Sequence, residues 1–186
     1  MALLRDTYCS YCGTAYESPS GYPRTCPSCK TQVWANPIPV SVVLVPVLHG
    51  ERTGLLVVRR DIEPRRGKLA LVGGFLEEHE TWQQGGSREI HEETGVVVDP
   101  GTLRTMWFTS TEPRPNRVLL FSVAARFGRG GDALPPFAPN RETSERGLVF
   151  GPDGLSEVFA FPLHAEAARR YFAEHEITGP HDFTVA

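Results

Sequence analysis

No stretch of the 186 residues approaches the roughly 20 consecutive apolar residues that a membrane-crossing helix needs. The opening residues, MALLRDTYCSYC, lack the apolar core of a secretory signal, so a cytoplasmic location is the expectation. A strong excess of one charge is missing as well. The net charge is −3 and the isoelectric point about 6.1, which gives no global pull toward nucleic acid or an anionic membrane. No long internal repeat is visible. Cysteine is scarce: there are four, and none lies beyond residue 29. What remains is ordinary for a globular chain, with 40% hydrophobic residues, and the length allows one sizeable core plus a small appendage.

The four cysteines fall as Cys9-x2-Cys12 and Cys26-x2-Cys29, with thirteen residues between the pairs. Two such knuckles in a chain without a secretory signal read as a zinc site. Four thiolates make a closed tetrahedral structural site, and Gly13 and Pro27 suit the tight turns it needs. Two local disulfides or a redox dithiol are the alternatives. Between Cys9 and Lys30 the only cations are Arg24 and Lys30, against Glu17, a poor surface for phosphate. The expected role is therefore structural, packing on the rest of the chain or helping to form a homodimer, and nucleic acid is not an expected partner.

Pro37 and Pro39 mark a linker, and the expected domains are 1–34 and 35–186. Val40 to Leu48 reads as a buried strand, and Leu55 to Arg60 as its hairpin return. Leu69 to Val72, Leu103 to Thr109 and Arg117 to Ala125 are further strands. The stretch 128–140, rich in Gly and Pro, reads as a loop, Ala165 to His175 as a helix, and the tail beyond Gly179 as frayed. Strands mixed with few helices give an α+β fold.

Residues 74–96, GFLEEHETWQQGGSREIHEETGV, carry the most information. Thr81 with Gln84 forms a capping box, and Gly95 supplies a helix stop. On the helix between them Glu89, Glu92 and Glu93 stand at i, i+3 and i+4, on one face. Like charges so close repel unless a cation binds, and an oxygen-only cluster suits Mg²⁺ or Mn²⁺. Gly85 and Gly86 each cost the helix about 1 kcal/mol relative to alanine, which predicts close approach to the rest of the domain. His91 reads as solvent-facing.

The segment resembles the Nudix box, Gly-x5-Glu-x7-Arg-Glu-U-x-Glu-Glu-x-Gly-U with U aliphatic, at every fixed position over 23 residues, with Ile90 and Val96 as the aliphatic positions. The resemblance implies an α/β/α sandwich with a mixed sheet and hydrolysis of a nucleoside diphosphate linked to a group X. It implies metal ligands at Glu89, Glu92 and Glu93, with Glu93 bridging ions and Gly73 offering its carbonyl. Arg88 takes an orienting role and Glu80 pairs with it. A carboxylate from outside the box is also implied. The segment Glu142-x-x-Glu145 resembles its source, with Glu145 the first choice and Glu142 the second.

A four-cysteine ribbon ahead of this box resembles the zinc-ribbon branch acting on NADH, FAD or ADP-ribose. The NADH branch carries Ser-Gln-Pro-Trp-Pro-Phe-Pro-x-Ser after the box. Here residues 109–117 read TSTEPRPNR, keeping prolines but neither Trp nor Phe. FAD and ADP-ribose therefore rank with or above NADH, with AMP and a phosphorylated partner as products. Arg114 and Arg117 are candidate substrate contacts, and Trp107, Phe108 and Phe121 could stack a base or pack in the core. The other functional class is a ligand-sensing Nudix module that uses the ribbon for partner or nucleic-acid binding.

Overall fold

The computed structural model describes residues 7–17, 21–112, 116–128 and 134–186. It divides into two compact units, Met1–Pro37 and Ile38–Ala186. In the first, β1 (Arg24–Thr25) and β2 (Gln32–Val33) form an antiparallel pair beside the cysteines. The two knuckles fold alike. Gly13 donates to the Cys9 carbonyl at 2.9 Å, and Lys30 to the Cys26 carbonyl at 3.1 Å. The Cys9 amide reaches the Thr14 carbonyl at 2.8 Å, and the Cys26 amide the Thr31 carbonyl at 2.9 Å. Gly13 and Lys30 both sit at positive φ, 73° and 62°.

The second unit is built on β3 (Ile38–Leu44), β4 (Pro46–His49), β5 (Arg52–Arg60), β6 (Leu69–Phe75), β7 (Arg104–Ser110), β8 (Arg117–Val123), β9 (Thr143–Phe150) and β10 (Asp182–Val185). Helix α1 (Trp82–Thr94) follows β6, and α2 (Leu155–Val158) and α3 (Pro162–Glu174) follow β9. The sheet order is β10-β9-β5-β6-β3-β8-β7, with β4 paired to β5. Only β3 and β8 run parallel among the strand pairs of this sheet; the others are antiparallel, so the sheet is mixed.

The apolar runs of β3 and β5 are buried on both faces. Val42, Leu44, Leu55 and Val57 pack under α3 with Ala168 and Phe172. Their neighbours Val43, Val45, Leu56 and Val58 pack under α1 with Ile90. The sheet thus lies between α1 and α3, the α/β/α sandwich expected from the sequence. Each such side chain contributes about 1.5–3 kcal/mol on burial. Among the described residues no helix is long and apolar enough to cross a membrane.

Two expectations are corrected. The Val40 to Leu48 run is not one strand, because at Val45 the chain leaves β6 and β8 for β5 and Pro46 has no amide to continue the first ladder. The tail is not frayed: Asp182 to Val185 pair with Phe150 to Gly147, and the buried Arg146 donates to the Ala186 carbonyl at 2.9 Å.

Where β6 loses β3 as a partner, α3 takes over. The Leu71 amide donates to His164 Nδ1 at 3.2 Å, so that nitrogen is unprotonated. Burial, with Arg60 nearby, pushes the imidazole pKa down to about 3. Between that value and the ordinary value near 6.5, the unfolded chain takes up a proton that the folded chain refuses. Stability from this group is complete above pH 6.5 and falls as the pH drops toward 3. Urea unfolding at pH 7 and pH 5 should show the parent losing about 2 kcal/mol more than His164→Asn, which keeps an acceptor but does not titrate. Equal losses would show that the imidazole is not held neutral.

Candidate active site and cysteine cluster

The α1 helix begins as its sequence dictates. Gln84 donates its amide to Thr81 Oγ1 at 3.3 Å, and the Thr81 amide reaches Gln84 Oε1 at 2.8 Å. Gly95 closes the helix in the left-handed region at φ 74°. The glycines inside the helix are explained by contact. A Cβ on Gly86 would meet Ser41 Oγ and Val43 Cγ2 at 2.9 Å, and one on Gly85 would run into Leu76 and Glu80. The helix therefore lies directly on β3, with its acidic face turned toward the end of β6. At that end a Cβ on Gly74 would occupy the space of the Glu89 carboxylate, and one on Gly73 would strike the backbone of Ser41.

Arg88 organises the acids. It grips Glu80 through Nη2 at 2.7 Å and Nε at 3.0 Å, and reaches Glu89 at 2.8 Å and Glu92 at 3.1 Å through Nη1. Its Nη2 also donates to the Phe75 carbonyl at 3.0 Å. The Arg88 contact holds the Glu80 carboxyl below the usual range. Glu89 is pushed the other way, mainly by burial, although Arg88 opposes the shift. Glu93 is pushed up to about 8, first by burial and then by Glu89 and Glu142, against the Gly73 amide that donates to it at 3.1 Å. These carboxylates are crowded and desolvated, and the Arg88 guanidinium is already shared among Glu80, Glu89 and Glu92.

Glu89, Glu92 and Glu93 line a cleft of about 930 Å³. Its other walls include Val40, Leu119, Phe75, Phe161 and Arg60. The cleft receives Glu142, whereas Glu145, the first choice from the sequence, is paired with Arg59 Nε at 2.7 Å and does not line it. Glu145 lies across from Arg59 in the regular β5–β9 register, and the register shift comes just beyond that pair, where Arg60 faces Thr143. Asn140 positions the approach to Glu142. Its Oδ1 accepts from the Glu142 and Thr143 amides, both at 2.8 Å, and its Nδ2 donates to the Glu92 carbonyl at 3.0 Å. Sequence reasoning left Asn140 at the end of a patternless loop; an Asn ahead of a polar Arg-Glu-Thr turn was the available signal.

Arg117 lines the cleft with its guanidinium 5.5 Å from the centre of the Phe75 ring. Arg114 lies outside the described residues. Phe75 was not singled out from the sequence. Trp107 and Phe121 stack on each other at 5.1 Å beneath α3 and do not line the cleft, and Phe108 is exposed. His91 faces solvent.

In the first unit the four Sγ atoms lie within 4.8 Å of one another. Cys12 and Cys26 are 3.6 Å apart and Cys9 and Cys29 3.8 Å, both pairs joining one knuckle to the other. A disulfide would need about 2.05 Å, and all four thiols are free. A hydrogen bond to Thr14 brings the Cys12 thiol down to about 6, toward the thiolate that a metal requires. A four-sulfur donor set at this spacing can hold one soft or borderline cation.

A NUDIX domain family model matches residues 38–175. The NAD-capped RNA hydrolase NudC of Deinococcus radiodurans is 32% identical over 131 residues, covering 69% of this chain and 44% of that protein. The protein of the same description from Escherichia coli strain K12 / DH10B is 24% identical over 131 residues and 47% covered. The chain thus spans less than half the length of these curated relatives. Among solved structures, a NUDIX hydrolase from Nitrosomonas europaea has a TM-score of 0.65 at 24% identity, covering 91% of this chain and 92% of that one. The Francisella tularensis bifunctional NMN adenylyltransferase/ADP ribose pyrophosphatase, complexed with AMP and a Mn ion, has a TM-score of 0.59 at 19% identity, covering 75% of this chain and 42% of that one. These two likenesses show the fold.

Proposed function

The chain belongs to the NUDIX family, and from that premise we propose that it hydrolyses the diphosphate linkage of a nucleoside diphosphate conjugate of the FAD, ADP-ribose or NADH class, giving AMP and a phosphorylated partner. The observation that carries this reading is the convergence of Glu89, Glu92, Glu93 and Glu142 on one cleft beside Gly73 and Gly74. Oxygen-only donors, crowded and partly desolvated, fit Mg²⁺ or Mn²⁺. When bound, such ions supply charge neutralisation of the diphosphate and an activated water.

The chain's own residues have separable roles in this proposal. Glu89, Glu92 and Glu93, together with the Gly73 carbonyl, would hold the ions. Glu142 is the carboxylate from outside the helix, and Glu145 supports the β5–β9 pairing through Arg59. Arg88 fixes the rotamers of Glu89 and Glu92, and Glu80 fixes Arg88. Arg117, backed by Phe75, meets the substrate where it leaves the acidic centre. Zinc in the four-cysteine cluster is proposed as structural, and a homodimer and a cytoplasmic location as the setting.

The substrate class draws on two facts. The relatives above are described as NAD-capped RNA hydrolases, while residues 109–117 of this chain lack the Trp and Phe of the NADH array. FAD and ADP-ribose are therefore placed with or above NADH. Initial rates on FAD, ADP-ribose, NADH and the nucleoside triphosphates, with and without added Mg²⁺ or Mn²⁺, test this. Metal-dependent turnover of the diphosphate conjugates is expected; a strong preference for a triphosphate would overturn the substrate class.

A further inference from the structure

Glu142 lines the cleft, yet its carboxylate makes no hydrogen bond or ion pair among the described residues. It shares the cleft with Glu89, Glu92 and Glu93, acids of its own sign. Like charges repel, so in the metal-free chain nothing on the side chain itself keeps this carboxylate facing the others. Its direction is set by the backbone beneath it, residues 140–143. What fastens that backbone decides whether the cleft has a fourth carboxylate.

The stretch leading into it, Leu134 to Asn140, reads LPPFAPN. Pro135, Pro136 and Pro139 have no amide to give a ladder, so side chains must hold this stretch. They hold it to the end of α1, where the last carbonyls of a helix have no partner within it. The Gly95 amide takes the His91 carbonyl at 2.8 Å. Asn140 Nδ2 takes the Glu92 carbonyl at 3.0 Å, and Arg146 Nη1 the Thr94 carbonyl at 2.7 Å. Arg146, 2% exposed, also donates to the Pro135 carbonyl at 2.9 Å, with its guanidinium 5.4 Å from the centre of the Phe137 ring. Its charge faces the negative end of α1 and has no carboxylate partner among the described residues. Arg146 therefore ties down the start of the stretch. Asn140 ties down its end, and one amide group grips both sides. While Nδ2 holds α1, Oδ1 accepts from the Glu142 and Thr143 amides, both at 2.8 Å. The Asn140 amide adds a bond to the Thr143 carbonyl at 2.9 Å, and the Asp61 amide one to the Glu142 carbonyl at 2.7 Å.

We propose, resting on the reading of this cleft as the hydrolytic centre, that Asn140 is the positioning residue for Glu142: by joining the 140–143 turn to the end of α1 it holds the outside carboxylate toward the three helical acids. Asn140 touches the backbone of Glu92 and of Glu142 and acts through the second of these side chains. The turn and the helix are 48 residues apart in sequence at this contact. Without the link, the turn keeps its bond to Asp61 but loses its fixed distance from the acids of α1.

Two variants of the full chain separate the halves of this side chain. Asn140→Ala removes both, whereas Asn140→Ser keeps an oxygen for the turn amides but cannot reach the Glu92 carbonyl. Each should lower kcat about tenfold or more on the substrate that the parent cleaves, with KM within about threefold of the parent. Glu142→Gln should lower kcat about a hundredfold. In the Glu142→Gln background, Asn140→Ala should cost less than about twofold, because no carboxylate remains to be positioned. Hydrogen exchange of the metal-free chain supplies a readout apart from turnover: the Glu142 and Thr143 amides should exchange faster in Asn140→Ala, while α1 keeps the parent's protection. Additive losses in the double variant, or parental kcat in Asn140→Ala, would overturn the positioning role. Parental kcat in Asn140→Ser alone would overturn the link to α1. Parental kcat in Glu142→Gln would instead overturn the reading of Glu142 on which the role depends.

Discussion

Glu93→Gln should lower turnover by about a thousandfold or more, on the order of 4 kcal/mol of transition-state stabilisation, with every substrate that the parent cleaves. The same variant should fold as well as the parent. Burial already drives the Glu93 carboxyl up to about 8, so near neutral pH the metal-free chain favours the protonated form, which glutamine imitates. The Gly73 amide that reaches Glu93 at 3.1 Å keeps an acceptor in the glutamine oxygen. What the variant cannot do is become an anion. The sign for stability follows. A carboxyl raised in the folded state costs stability as the pH climbs through its folded value, so metal-free Glu93→Gln should unfold at an equal or higher temperature than the parent at pH 9. Steady-state rates at saturating Mg²⁺, with thermal melts of the same samples, check both halves. Near-parental activity would remove Glu93 from the metal site.

The helix that carries Glu93 was legible because its instructions are local. Thr81, Gln84 and Gly95 state where it starts and stops, and the spacing of Glu89, Glu92 and Glu93 states which face is acidic. The mid-helix glycines conflict with helix propensity, and the conflict pointed correctly to close packing, against Ser41 and Val43. Arg88 and Glu80, eight residues apart, also lie within the reach of local reasoning.

The rest of the site was less legible because its determinants are distant in sequence. Glu142 and Glu145 stand in one short polar segment, and nothing in that segment separates them. The distinction comes from Arg59, 86 residues away, which the regular β5–β9 register sets opposite Glu145. The last strand was missed for a similar reason. Residues 182–185 look like a tail until Gly147 opens space for the Phe183 ring and Arg146 anchors the Ala186 carbonyl.

Cys26→Ser should abolish the metal content of the first unit. The parent is expected to carry about one zinc per chain, since four thiolates converge within 4.8 Å. Cys26 is fully buried, with Sγ 3.6 Å from that of Cys12, so serine would leave a hard, neutral oxygen at the centre of a sulfur site. Metal binding in so small a unit is coupled to its folding, with binding free energies on the order of 10 kcal/mol. Amide exchange before Trp34 should therefore rise toward unprotected rates, while α1 and the sheet keep their protection. Metal analysis that finds no zinc in the parent, together with thiols paired as disulfides, would overturn this assignment.

The central claim is that the acidic cleft breaks a bond between two phosphorus atoms. Hydrolysis of FAD or ADP-ribose in ¹⁸O-labelled water with Mg²⁺, followed by mass spectrometry of both products, measures it directly. The expected result is AMP plus a phosphorylated partner, label on a phosphate of one product only, and no inorganic phosphate or pyrophosphate. Release of inorganic phosphate or pyrophosphate, or label on carbon-bound oxygen, would contradict it.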